Sequence, residues 1–262
     1  MTASGQEGDI KIYTKYLPII LLALLLYITG YLNICAQELT IPTIRLSYFQ
    51  LDERGNYELK NGMPYESTNE DHLVKTTFAV SNSAFIVVDP WDNLPSKFLN
   101  EHFGKVMNQF LLPLIEKAAE KKFQVYVFTN NCKKCTSPYS CGVHEKIEEL
   151  LKKHSNLHIL YWDEFKKDEF VSSLKEKRIS QLIYTGFASN LCVIGRPSGI
   201  IAMKNEGFKT FFVPQASAAL ETKHTWEKGK IHKYITTILA QGLAGIINLK
   251  DLDEALEKLK TD

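Results

Sequence analysis

From residue 84 onward, the chain alternates between short apolar runs and longer stretches in which apolar residues recur every three or four positions. Short runs rich in β-branched and aromatic residues are typical of strands buried on both faces of a parallel sheet. The longer stretches have the period of an amphipathic helix. The predicted strands are 84–88, 124–128, 157–161, 181–184, 210–213 and 244–247, and the predicted helices are 97–121, 143–154, 169–177, 193–206 and 224–241.

Six strands that alternate with helices predict an α/β domain over residues 82–262. In such a domain each helix crosses from one strand to a parallel neighbour, because the connection between parallel strands must return along the sheet. We therefore expect a three-layer, doubly wound, Rossmann-like fold. Its mostly parallel six-stranded sheet would carry helices on both faces.

Residues 38–81 have a different pattern, in which apolar and polar residues alternate at 41–46 and again at 57–59. The segment between these stretches, 52–56, contains glycine and asparagine, which favour a turn. We predict an N-terminal hairpin extension that leads into the domain.

The first 37 residues contain an uncharged, mostly apolar segment at 16–34 that is preceded by two lysines. About 20 such residues match the thickness of a bilayer core, and basic residues before the segment predict a cytosolic N-terminus. We expect residues 1–37 to be a signal peptide cleaved after Ala36. An uncleaved membrane anchor is the second alternative, and a lipoprotein modified at Cys35 is the third. Each alternative exports the domain, which would be secreted, periplasmic or anchored outside the cytosol.

The charges of the chain are balanced, with 31 Lys and Arg against 30 Asp and Glu. The sequence has no basic stripe interleaved with aromatic residues that could follow a phosphate backbone. We therefore do not expect nucleic acid as a partner. Membrane contact would come from the N-terminal segment, if it is not cleaved.

Two reactive side chains follow predicted strands. Asp89 comes directly after the first strand, and Cys192 stands at the start of a helix, six residues after the Gly186 that follows the fourth strand. Open α/β sheets bind ligands at the carboxyl ends of their strands. A cysteine that begins a helix is favoured as thiolate, and a nearby carboxylate could take its proton. A single cysteine is more often an inert core residue, so the expected approach of Asp89 is what singles out Cys192.

Three motifs follow one another along the chain: FIVVDPWD at 85–92, GFASNLCVIGRP at 186–197, and GFK at 207–209 with VPQASA at 213–218. In this order and spacing they resemble the isochorismatase-like superfamily of cysteine hydrolases, which includes nicotinamidases, N-carbamoyl amidohydrolases and isochorismatase. The resemblance spans roughly residues 82–255. Isochorismatase itself does not depend on a cysteine, so Cys192 favours the other members.

The resemblance implies that Cys192 is the nucleophile and Asp89 the general base. It also implies a cis peptide bond between Phe187 and Ala188, with the backbone N–H groups of Ala188 and Cys192 forming an oxyanion hole. The implied reaction cleaves a C–N bond of a small amide or carbamoyl substrate through a thioester, without a metal or an organic cofactor. Members of the superfamily commonly form homo-oligomers.

The sequence departs from the superfamily pattern at the third catalytic position, which is a lysine after the third strand. The corresponding position here falls on or near Glu164, and the nearest lysines are Lys166 and Lys167. We assign Lys166 as the third member, although a lysine there is more often a solvated surface charge. The alternative is a diverged binding or scaffold protein that has lost the lysine. The Asp-x-His metal motif of nicotinamidases is also missing after the second strand, which disfavours a metal-dependent nicotinamidase.

Three cysteines and a histidine lie close together after the second strand. They are Cys132, Cys135, Cys141 and His144. They could bind zinc, or form one disulfide with a free thiol left over, and export favours the disulfide. A redox module that uses the first two cysteines is a weaker third alternative.

Three further residues near the predicted strand ends have two interpretations each. Trp91 and Trp162 would be either core residues or walls of the substrate pocket. Arg196 would either bind a substrate carboxylate or form a salt bridge on the helix surface.

Overall fold

The computed structural model describes residues 37–91, 94, 96–134 and 141–260. The strands, in chain order, are β1 Glu38–Leu46, β2 Leu59–Lys60, β3 Met63–Pro64, β4 Asp71–Ala79, β5 Ser83–Val88, β6 Gln124–Thr129, β7 Leu157–Tyr161, β8 Gln181–Phe187, β9 Lys209–Ala218 and β10 Gly245–Ile247. The α-helices are α1 Lys97–Val106, α2 Leu112–Glu120, α3 Glu145–Lys153, α4 Lys167–Glu176, α5 Cys192–Gly195, α6 Ile200–Asn205, α7 Lys230–Ile238 and α8 Leu249–Lys258. Short π-helical segments at Met107–Leu111 and Leu239–Leu243 and a 3₁₀ turn at Trp226–Lys228 complete the helical structure of the described residues.

The main sheet has the strand order β4-β1-β10-β9-β8-β5-β6-β7. The six predicted strands are β5 to β10, and every pairing among them is parallel. The predicted α/β class and the mostly parallel sheet are therefore confirmed. The predicted number of strands is wrong, because β1 and β4 extend the sheet to eight strands within the described residues.

Side chains of the central strands supply two separate cores. In β5, Phe85 and Val87 pack into one cluster of buried residues, which also contains residues from α1, α2, α3 and α8. The alternate residues Ala84, Ile86 and Val88 pack into a second cluster, with α4 and α6. Since successive side chains of a strand point to opposite faces, a strand that is apolar at every position needs a layer of helices on each face. The result is the predicted three-layer arrangement.

The predicted hairpin between residues 41–46 and 57–59 is wrong in its pairing. The long partner of β1 is β4, and the two are antiparallel over nine residue pairs from Glu38–Ala79 to Leu46–Asp71. On its other side, β1 pairs antiparallel with β10. The two long strands of residues 38–81, β1 and β4, are thus part of the main sheet, and Glu38–Asp262 forms one compact unit. The predicted turn does exist, since Asp52 accepts hydrogen bonds from the backbone N–H groups of Arg54 and Asn56, each at 2.8 Å.

The predicted signal peptide or membrane anchor, residues 1–37, falls almost entirely outside the described residues. Among the helices that the structure describes, none has the length and apolar character needed to cross a bilayer. Export of the domain stays a prediction from the sequence.

Candidate active site

The adjacent strands β5 and β8 bring the two predicted reactive segments together. Val88 pairs with Gly186 at the carboxyl ends of these strands. Gly186 has φ +103°, and a Cβ built on it would lie 2.1 Å from the carbonyl oxygen of Val88. Only glycine allows both the positive φ and this close approach of the two backbones. The glycine therefore sets how closely the segments carrying Asp89 and Cys192 approach each other.

Asp89 is fully buried where the chain turns after β5. Its φ is +43°, and its backbone N–H donates to the carbonyl oxygen of Phe128 at 2.8 Å. The indole N–H of Trp162 donates to Oδ1 at 2.6 Å. Oδ2 has no N–H or O–H donor in the described part of the chain. Burial raises the pKa of Asp89, while hydrogen bonds from Cys192 and Trp162 and the charge of Arg196 act in the opposite direction.

Cys192 is the first residue of α5, and its thiol is hydrogen bonded to Asp89. Burial, followed by the charge and the hydrogen bond of Asp89, raises the pKa of Cys192 to about 12. The charge of Arg196 and a hydrogen bond from the backbone N–H of Ala188 oppose this rise. The helix position alone predicted a thiolate, and the structure instead favours a neutral thiol paired with a carboxylate. The reason is that a second anion beside a buried carboxylate is unfavourable.

The peptide bond between Phe187 and Ala188 is cis, at the position that the resemblance implies. Phe187 is buried and stacks on Phe103, with the ring centroids 4.5 Å apart. The N–H of Ala188 faces the sulfur of Cys192, while its carbonyl oxygen accepts hydrogen bonds from the N–H groups of Leu191 and Val193 at 3.0 and 3.2 Å. The loop therefore presents a backbone donor directly at the thiol.

A serine and a histidine that the sequence reasoning did not single out hold the same loop in place. The Ser189 hydroxyl is 2.9 Å from Nδ1 of His232, and Nε2 of that ring is 3.1 Å from the carbonyl oxygen of Pro214. Since the carbonyl only accepts, Nε2 carries the proton and Nδ1 accepts from Ser189. Burial lowers the pKa of His232, which favours this neutral form. No local sequence signal relates residues 43 positions apart.

Arg196 places a positive charge beside Asp89. Its guanidinium lies 3.9 Å from Oδ2 of Asp89 and stacks over the Trp162 ring, 4.7 Å from the centroid. Its backbone N–H donates to the carbonyl oxygen of Cys192 at 3.2 Å, so the arginine follows Cys192 by one helical turn. That spacing of four residues is the sequence signal that could have identified it.

Lys166, the predicted third catalytic residue, is not brought to the Asp89–Cys192 pair. It precedes α4, and its ammonium is 2.7 Å from the carboxylate of Glu169, with 71% of each side chain exposed. Residues Phe170 and Val171 of α4 pack into the core, so Lys166 stays on the solvent side at the start of this helix. Glu164, where the superfamily has its lysine, binds Lys134 at 3.0 Å.

The two tryptophans have different surroundings. Trp91 is 3% exposed and stacks on Phe103, with the ring centroids 6.2 Å apart, in the core on one face of the sheet. Trp162 is half-buried, stacks on Phe128 at 4.8 Å and donates to Asp89. Trp162 is therefore the one whose ring borders the candidate site.

The cysteine-rich segment is described only in part, since residues 135–140 lie outside the described residues. Cys132 is exposed and forms no disulfide within the described residues. His144 caps α3, because its Nδ1 accepts a hydrogen bond from the N–H of Lys146 at 3.2 Å. The described residues contain no group of three or more His, Cys, Asp or Glu side chains placed to hold a metal. The zinc and disulfide alternatives stay predictions, because Cys135 lies outside the described residues.

Comparison with known proteins reveals similarity in structure but not in sequence. No family model matches the chain, and no curated protein is significantly similar to it. A cysteine hydrolase from Pseudomonas syringae pv. phaseolicola is 14% identical over 70% of this chain and 96% of its own, with a TM-score of 0.51. The nicotinamidase SaPncA from Staphylococcus aureus is 17% identical over 63% of this chain and 96% of its own, with a TM-score of 0.46. YcaC from Pseudomonas aeruginosa is 19% identical over 68% of this chain and 82% of its own, with a TM-score of 0.48. The likeness to the Pseudomonas syringae protein shows that this chain shares the fold of that cysteine hydrolase.

Proposed function

We propose that this protein is a cysteine-dependent hydrolase that cleaves a C–N bond of a small amide or carbamoyl compound. The observation that carries the proposal is the hydrogen-bonded pair of half-buried Cys192 and buried Asp89, with the N–H of Ala188 facing the sulfur. The cysteine hydrolase from Pseudomonas syringae has the same fold, which supports the proposal. The uncharged segment at 16–34 supports a location of the domain outside the cytosol.

The first half of the reaction forms a thioester. Asp89 takes the thiol proton as the sulfur of Cys192 attacks the carbonyl carbon, so that no free thiolate needs to accumulate. The carbonyl oxygen becomes an oxyanion, which the backbone N–H groups of Ala188 and Cys192 stabilise. Protonated Asp89 then gives its proton to the leaving nitrogen. The C–N bond breaks, and an amine or ammonia is released.

The second half of the reaction returns the enzyme to its starting state. Asp89, again a carboxylate, takes a proton from a water molecule that attacks the thioester carbonyl. The C–S bond breaks, the sulfur regains a proton, and the acid product leaves. Neither half requires a metal or an organic cofactor, because every proton moves between Asp89, Cys192, water and the substrate.

Arg196 supplies the positive charge that the superfamily obtains from a lysine. Its guanidinium is 3.9 Å from Oδ2 of Asp89 and opposes the rise in the pKa of both Asp89 and Cys192. Stacking on Trp162 fixes the plane of the guanidinium, and a partly desolvated cation–π contact of this kind is favourable. We therefore assign to Arg196 the role that the sequence assigned to Lys166.

A panel of small amides, N-carbamoyl compounds and nicotinamide tests the function directly. With a substrate from this panel, we expect release of ammonia or amine by the purified protein and, after rapid acid quenching, an intact mass increased by one acyl group. Peptide mapping should locate the group on Cys192. The opposing result is no product and no acyl adduct with any member, which would favour the alternative of a diverged binding or scaffold protein.

The two candidate cations can be separated by a pair of matched variants. We expect Arg196→Gln to lower kcat/KM about 10²-fold, since it removes the charge beside the catalytic carboxylate. Lys166→Gln should leave kcat/KM within about twofold of the wild-type value, because exposed ion pairs such as Lys166–Glu169 contribute little. Steady-state kinetics on both variants, with unfolding midpoints to check folding, is the measurement. A large loss in Lys166→Gln and none in Arg196→Gln would reverse the assignment.

A further inference from the structure

A cavity lies at the end of the sheet opposite to Cys192. It has a volume of about 960 Å³. Gln181 and Lys209, the first residues of β8 and β9, line one side, whereas the candidate active site lies beyond the carboxyl end of β8. Residues from β1, β4 and the connection between them line the other side. We call this cavity the amino-end groove.

The charge lining the amino-end groove is mostly positive. Its basic residues are Arg45, Arg54, Lys75 and Lys209, and its one acidic residue is Glu70. None of the four basic side chains has a carboxylate within 4.0 Å in the described chain. Uncompensated like charges raise the potential of a cleft and attract anions to it.

Arg45 is the strongest candidate for an anion-binding residue in the groove. Its side chain is half-buried, and no side-chain hydrogen bond or ion pair holds its guanidinium in the described part of the chain. Burial lowers the pKa of Arg45, and its charge contributes to a lowered pKa of Lys204. A planar guanidinium that is partly desolvated and has no protein partner is suited to bind a carboxylate or phosphate with two parallel hydrogen bonds.

Three exposed aromatic rings form another part of the groove wall. Tyr48 is 61% exposed, Phe49 38% and Tyr57 58%. Their rings contact one another edge to face, with centroids 5.5 Å apart for Tyr48–Phe49 and 5.8 Å apart for Phe49–Tyr57. Exposed rings clustered in a cleft offer contact surface to a flat ligand, and aromatic clusters on a surface commonly mark binding sites.

We propose that the amino-end groove binds a small ligand that carries both an anionic group and a flat aromatic ring. The anionic group would pair with Arg45, and the ring would pack on the aromatic wall. This site is separate from the candidate active site, so the proposal does not depend on the proposed function. An aromatic carboxylate and a mononucleotide share the required chemistry.

Titration calorimetry on the full-length protein tests the proposal with two probes, 4-hydroxybenzoate and adenosine monophosphate. We expect saturable binding of at least one probe. The probe that binds shows whether the groove prefers an aromatic carboxylate or a mononucleotide. Inorganic phosphate and adenosine, which lack the ring and the anionic group respectively, should bind at least about tenfold more weakly. The proposal would be overturned if neither probe showed saturable binding.

Matched variants place the binding in the groove. Arg45→Gln should weaken binding of the active probe about tenfold or more, since it removes a charge-assisted hydrogen-bond donor. Arg178→Gln removes the same charge from an exposed position outside the groove and should leave binding unchanged. The exposed Arg54→Gln serves as a second groove variant in case Arg45→Gln does not fold. Equal binding by the wild type and a folded groove variant would also overturn the proposal.

Discussion

Replacing Cys192 with alanine should reduce hydrolysis to the background rate, a loss of at least about 10⁴-fold in kcat. In the proposed reaction the sulfur of Cys192 forms the thioester, and Cys192 is the described cysteine that is hydrogen bonded to Asp89. Cys192→Ser is the informative companion variant. It keeps a proton donor beside Asp89 but has a far weaker nucleophile, so it should also be inactive while it still binds substrate.

The measurement for Cys192 is turnover of the best substrate from the amide panel, combined with unfolding midpoints. Cys192 is only half-buried, so both variants should unfold within a few degrees of the wild type. Cys132→Ala is the matched control, because Cys132 is exposed and lies outside the pair. Retained turnover in a correctly folded Cys192→Ala would exclude nucleophilic catalysis by this residue.

Asp89→Asn should lower kcat/KM by about 10²–10⁴-fold and at the same time stabilise the fold at neutral pH. The asparagine amide oxygen can still accept the hydrogen bond of Trp162 but cannot take the thiol proton. Stabilisation is expected because the buried carboxylate has a raised pKa, which means that folding opposes its ionisation. Stability linked to Asp89 is therefore present in acid and lost as pH rises through the folded-state pKa.

The measurement for Asp89→Asn is the unfolding midpoint as a function of pH, for the variant and for the wild type. The difference in unfolding midpoint between variant and wild type should grow as pH rises through the raised pKa of Asp89. Asp163→Asn is the control, since Asp163 forms an ion pair with Lys134 at 3.2 Å and does not touch the thiol. A lower unfolding midpoint for a folded Asp89→Asn at neutral pH would contradict the electrostatic account.

The pH dependence of the wild-type rate also reports on the ionisation of Asp89 and Cys192. Activity should rise as Asp89 ionises, and no further rise from thiol ionisation is expected between about pH 7 and 10, because the pKa of Cys192 is raised to about 12. A rate that instead follows a thiol titration near its ordinary value of about 8.5 would indicate a preformed thiolate.

Local patterns in the sequence predicted most of the parallel sheet. Each strand from β5 to β10 contains a short apolar run that is recognisable from its own residues. Because β5 and β8 are parallel neighbours, Asp89 and Gly186 lie at the same edge of the sheet. The pairing of β1 was not predictable in this way. Its partner β4 lies more than 20 residues later, and the choice between β4 and residues 57–59 depends on which alternating face is buried against the rest of the molecule.

The sequence by itself determined the α/β class, the six parallel strands and the two residues that form the candidate catalytic pair, because these depend on short-range periodicity and on the order of strands. Only the tertiary structure decided which basic side chain lies beside Asp89. The guanidinium of Arg196 stacks over the ring of Trp162 and lies near Asp89, whereas the exposed Lys166 forms an ion pair with Glu169. The tertiary structure also decided the state of Cys192. A helix start favours a thiolate, but burial beside a carboxylate outweighs that preference, and burial is a property of the whole packed domain.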